Sequence, residues 1–172
     1  MGIPIKYFIY ALIIILLQVL VCKHITTGTA LAPYMDVMIY PLLLLILPVN
    51  TPASLVVILA FFSGLSIDFF YDSPGVHTSA LVFTGFMRKI ILNVIEPRIG
   101  YAVDDTPLRV SPSDYWYYLY VSILLFMHLL FYYMVSYFSL SYILDILIKT
   151  ISTFVVSMLL ISLHGITWRA LN

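Results

Sequence analysis

The chain has 172 residues, 63% hydrophobic and 9% charged, with zero formal net charge and a mean hydropathy of +1.08. A soluble domain carries about 25% charged residues, so this chain has too little polar surface to face water and reads as an all-α polytopic membrane protein in a single domain. The charge balance leaves no basic footprint for nucleic acid, and one cysteine, Cys22, excludes an intrachain disulfide or a cysteine metal cluster.

A bilayer core of about 30 Å needs about 20 apolar residues per helix. On that measure the hydropathy predicts six transmembrane helices, near 5–22, 34–47, 52–71, 74–95, 112–137 and 140–168. The first stands behind Lys6. Its length, and the distance to Ala30-Leu31-Ala32, argue against a cleaved signal peptide. The second is short and interrupted by Pro41, so it reads as a short or kinked span or a re-entrant segment. Thr51 is the expected N-cap of the third helix, with Pro52 in its first position. The third and fourth form an antiparallel hairpin with a tight turn at Asp72-Ser73. Glu96 to Pro112 is a polar loop. Ser111-Pro112-Ser113-Asp114 reads as a capping box opening the fifth helix, whose first turns (Tyr115-Trp116-Tyr117-Tyr118) belong at the headgroup level.

Lys and Arg counting sets the orientation. With both termini in the cytoplasm, Lys6, Arg98, Arg109 and Arg169 lie inside and Lys23 outside. Arg88 and Lys89, in the inner half of the fourth helix, are expected to snorkel to the headgroups.

This topology takes the stretch from Gly64 to Gly75 to the outer end of the hairpin. Gly64 and Asp68 are four apart and share a helix face, where the glycine lets a neighbouring backbone approach. Asp68 is expected to cap or snorkel near the interface, or to be hydrogen-bonded by a packed neighbour. Asp72 or Ser73 would cap the fourth helix, with Pro74 in its first turn. Asp145 and Lys149, also four apart and in the favourable acid-before-base order, are expected to form an intramembrane ion pair. His128 reads as a helix–helix hydrogen bond, and the four histidines show no metal-ligand spacing.

No reaction centre is completed. Tyr71-Asp72 lacks the second G-x-G-D carboxylate of an intramembrane aspartyl protease. There is no G-x-S-x-G and no Walker A motif.

The stretch Gly64-Leu-Ser-Ile-Asp68-Phe-Phe-Tyr71-Asp72-Ser-Pro74-Gly75-Val-His-Thr, followed by an apolar helix ending near Arg88-Lys89, resembles the signature of the MreD family of rod shape-determining proteins. The resemblance implies a bundle similar to the S-components of energy-coupling-factor transporters. It implies a non-enzymatic scaffold of the peptidoglycan elongation machinery in the bacterial inner membrane, without a cofactor. The implied partners are the bitopic periplasmic protein MreC, indirectly MreB filaments and the elongation transpeptidase and glycosyltransferase, and membrane lipids. On this resemblance Gly64, Asp68, Tyr71, Asp72, Pro74, Gly75 and Arg88 are the motif and partner-contact residues. The alternative is a small-molecule (vitamin) transporter subunit of the S-component type. Against it, the first helix offers Ala11 alone, where such subunits dock through spaced alanines.

Overall fold

The computed structural model describes residues 5–27, 33–102, 105–108 and 114–171; Ala30-Leu31-Ala32, Arg109 and the expected capping box at 111–113 lie outside them. The described residues are helical, with no strand. Helix α1 (Ile5–Leu17) widens into a π turn (Gln18–Cys22) and continues as α2 (Lys23–Thr27). A single turn, α3 (Leu42–Leu45), is followed by α4 (Ala53–Tyr71), α5 (Val76–Val94) and α6 (Asp114–Tyr137). A short 3₁₀ turn, Leu140–Tyr142, precedes α7 (Ile143–Leu171). Four helical stretches are long and apolar enough to cross a membrane, Tyr7–Ile25, Ala53–Tyr71, Tyr115–Tyr137 and Ile143–Ile166, which makes this a multi-pass membrane protein.

The expected helix at 34–47 does not form. Residues 35–39 are irregular and only Leu42–Leu45 complete a helical turn, opened by Pro41 at its N-cap. A proline is tolerated there because the first N–H groups of a helix have no intrahelical partner. The segment is nevertheless deeply buried, with Tyr40 and Leu44 fully enclosed.

Helix α5 equals α4 in length and pairs with it along its whole course, but it carries His77, Thr78, Thr84 and Arg88 on its buried side. It is the polar centre around which the more apolar helices pack. On α7 the buried residues Ile146, Thr150, Thr153, Ser157 and Ile161 recur every three or four positions. Leu144, Ile148, Ile151, Val155 and Leu159 face outward. The hydroxylated residues Thr150, Thr153 and Ser157 therefore face the bundle, flanked by Ile146 and Ile161, while the outward face is aliphatic, the arrangement that close packing favours in a membrane.

The C-terminal end of α5 is closed by two side chains from beyond it. Tyr101 donates to the Leu92 carbonyl (2.7 Å) and the Trp116 indole N–H to the Ile95 carbonyl (2.8 Å). Burial, with Glu96 second, pushes the Tyr101 phenol up to about 12, so it keeps the proton this bond needs. Pro52 itself is the N-cap of α4. Thr51, expected in that role, instead donates its hydroxyl back to the Pro48 carbonyl (2.6 Å).

Candidate functional site

The α4–α5 hairpin closes on Gly64, Asp68 and Thr78. A methyl group built on Gly64 would lie 2.4 Å from the Thr78 Cα, so only glycine lets the two backbones meet here. That approach brings Asp68, one turn on, to the start of α5. Asp68 is 5% exposed. One oxygen accepts from the His77 N–H (2.9 Å) and the Ser73 hydroxyl (2.9 Å). The other accepts from the Thr78 N–H (2.9 Å) and hydroxyl (2.6 Å). A negative charge fits here because the first N–H groups of a helix carry its positive dipole end.

Asp68 is thus the cap of α5, supplied across the turn. Asp72 and Ser73 do not fill that role: Asp72 ends α4 in the left-handed region (φ 51°), and Ser73 supports Asp68. Pro74 lies in the turn before the helix. Gly75 takes the N-cap position at φ 83°, a conformation that favours glycine.

The same end of the bundle holds Gln18, at the start of the π turn. Its amide donates to the Val37 carbonyl (2.9 Å) and the Tyr71 hydroxyl (2.8 Å), and its oxygen accepts from the Ile39 N–H (2.8 Å). Lys23 donates to the Phe70 carbonyl (2.5 Å), adding a cation at the C-terminal end of α4.

Gln18 serves a wider pattern. Irregular backbone at membrane depth survives only where its polar groups are satisfied inside the protein. Around residues 36–48 the helices supply those partners. Thr153 accepts from the Asp36 N–H (2.9 Å) and Ser157 from the Met38 N–H (3.1 Å). Arg88 donates to the Leu47 (2.7 Å) and Pro48 (3.0 Å) carbonyls. Arg88 is 2% exposed and its Nε also donates to the Tyr120 hydroxyl (3.0 Å). The expected snorkelling of Arg88 is therefore corrected: its guanidinium closes the end of the irregular segment, where carbonyls outnumber backbone donors. Lys89 is the exposed member of the pair.

Between these ends runs a chain of buried groups from Thr84 to His77. The Thr84 hydroxyl donates to the Ala80 carbonyl (2.7 Å), so its oxygen receives the His128 Nδ1 proton (2.8 Å). His128 Nε2 then carries the lone pair and accepts the Tyr40 O–H (2.8 Å). Tyr40 in turn accepts from His77 Nδ1–H (2.9 Å). One set of tautomers satisfies every link, and it leaves His77 Nε2 as a bare acceptor. That atom is buried without a hydrogen-bond partner, and the His77 ring packs against the rings of Tyr71 and Tyr132, 4.8 Å centroid to centroid in each case. His128 thus bridges α6 to α5, as expected for a helix–helix bond, and also reaches the irregular segment.

Asp145 and Lys149 are not brought together. Asp145 is exposed, and the Lys149 ammonium lies over the Tyr133 ring, 5.9 Å from its centroid. Tyr133 donates to the Asp36 carboxylate (2.8 Å). The sequence reading missed Gln18, Asp36, Tyr40, Thr153 and Ser157. Gln18 and Asp36 carried a signal, as polar residues inside or beside apolar runs. Among the described residues no group of three or more histidine, cysteine or carboxylate side chains is arranged to hold a metal ion. No family model, curated protein or solved structure matches this chain.

Proposed function

We propose that this chain is a non-enzymatic membrane scaffold of the MreD type. It holds a bitopic partner through that partner's transmembrane helix and helps couple cytoplasmic filaments to cell-wall synthesis in a bacterial inner membrane. One observation carries the reading. Between α1 and α4 lies an apolar groove of about 460 Å³, lined by Tyr7, Ala11, Ile15, Leu59, Ser63 and Ser66 among others. Small side chains beside bulky ones suit helix–helix packing in lipid, where close approach replaces the hydrophobic effect. The interior polar groups agree with a scaffold, since nearly all are committed to the chain's own backbone and to each other. A transporter subunit needs convergent polar groups held open for a ligand.

In this reading the irregular segment 33–49 counts as a crossing, giving six passes with both termini inside. Its hydrogen bonds follow α5 from the level of His77 to that of Arg88, about 17 Å of helix rise.

The test is co-purification of the full chain with an MreC-like bitopic protein expressed alongside it. Ser66→Trp fills the groove from an exposed position and Ala11→Trp from a half-buried one. The expected result is a drop of about tenfold or more in partner yield, with the thermal unfolding of the chain alone unchanged. Undiminished yield in both variants would overturn the proposal.

A further inference from the structure

We propose that a depression on α6 and α7 binds a zwitterion carrying a primary ammonium and an anionic group, as in an ethanolamine phospholipid headgroup. The site has a volume of about 260 Å³ and is lined by Asp36, Tyr132, Tyr133, Ser136, Tyr137 and Lys149. It is independent of the groove between α1 and α4, which shares none of these residues.

Three observations carry the inference. The depression presents one carboxylate and one ammonium that are not spent on each other. The Tyr133 hydroxyl, itself hydrogen-bonded to Thr153 (2.7 Å), holds one Asp36 oxygen at 2.8 Å, and the Tyr133 ring carries the Lys149 ammonium on its face. Tyr133 is 1% exposed, so the framework that spaces the two charges is buried and rigid. Charged side chains are costly in a membrane protein unless paired or used. A ligand with both charges pairs with both side chains at once.

The second observation is size. Pockets that enclose drug-sized ligands occupy about 300–1,000 Å³; this one is smaller and suits a compact headgroup. The third is chemistry at the wall. Ser136, Tyr132 and Tyr137 add hydroxyl groups to the lining, which suit an ammonium that must donate several N–H bonds and a phosphate or carboxylate that must accept them. A quaternary ammonium has no N–H to give to Asp36, so the site discriminates ethanolamine from choline.

The full chain in lipid nanodiscs tests this. Phosphatidylethanolamine, phosphatidylcholine and phosphatidylglycerol are compared by native mass spectrometry and by thermal unfolding. Soluble O-phosphoethanolamine and glycine are then added as competitors. The expected result is selective retention of phosphatidylethanolamine, at least about tenfold over phosphatidylcholine. Lys149→Gln, which removes the partner of the phosphate common to these lipids, should weaken retention of each of them, and Asp36→Asn, which can still accept from Tyr133, should abolish the selectivity. So should Ser136→Trp, which blocks the depression from an exposed position and keeps the proposal testable if either charge variant unfolds. Displacement of the lipid by the soluble compounds assigns the site to free zwitterions, and its failure assigns the site to the lipid; both support the chemistry. Equal binding of ethanolamine and choline lipids, or selectivity that survives both Asp36→Asn and Ser136→Trp, would overturn it.

Discussion

The α4–α5 hairpin and the irregular segment 33–49 solve the same problem by opposite means. Each leaves backbone polar groups without a regular partner inside a lipid-facing protein. In the hairpin the partner is local. Gly64 brings the helices together and Asp68, ten positions or fewer from its donors, caps α5. In the irregular segment the partners are remote: Gln18, Arg88, Thr153 and Ser157 come from three other parts of the chain. A charge near a turn is therefore a poor guide to a surface or an active site here. Asp68 and Arg88 are structural charges, each aimed at a helix or segment end. The exposed Asp72 and Asp145 do none of this work.

Substitutions separate the two regions. The largest effect is expected for Asp68→Ala, which strips four hydrogen bonds from α5 and its turn. A loss of about 4 kcal/mol is predicted, with Asp68→Asn losing about half. Denaturant unfolding in mixed micelles measures it, and near-native stability of Asp68→Ala would break the capping account. Arg88→Met leaves the Leu47 and Pro48 carbonyls without their donor. It should cost about 3 kcal/mol in the same assay, whereas a snorkelling Arg88 would tolerate the change. Gly64→Ala drives a methyl group into the Thr78 backbone, with an expected cost of about 2–3 kcal/mol. A conservative methyl should thus rank close to the loss of a buried charge. At the bottom of the scale, Asp72→Asn and Asp145→Asn should leave the unfolding midpoint where it is. A clear shift for Asp145→Asn would revive its pairing with Lys149.

The same contrast governs what could be read in advance. The helices at 53–71, 76–94, 114–137 and 143–171 follow from apolar runs broken by glycine, proline and turn residues, and their ends fall within a few positions of the reading. The close contact at Gly64 was legible because its spacing from Asp68 puts both on one face. The choice of cap was not. Asp68, Asp72 and Ser73 are all suitable residue types, and only the crossing of the two helices selects Asp68. At 34–47, apolar composition argued for a span, while Pro41 argued for a break. Neither signal contains the helix side chains that make an irregular backbone affordable. The buried chain from Thr84 through His128 and Tyr40 to His77 was invisible for the same reason. Its members lie far apart in sequence and meet only after packing.

The central claim is that the interior polar side chains exist to satisfy the chain's own irregular backbone. Amide hydrogen exchange at Met38 and Ile39 tests it most directly, comparing the native chain with Gln18→Leu. The account predicts slow exchange at both amides in the native chain, close to that of α4. In the variant, Ile39, which loses its acceptor, should accelerate sharply, while Met38, still bound to Ser157, stays protected. Fast exchange at both amides in the native chain, or an Ile39 rate indifferent to Gln18, would contradict it.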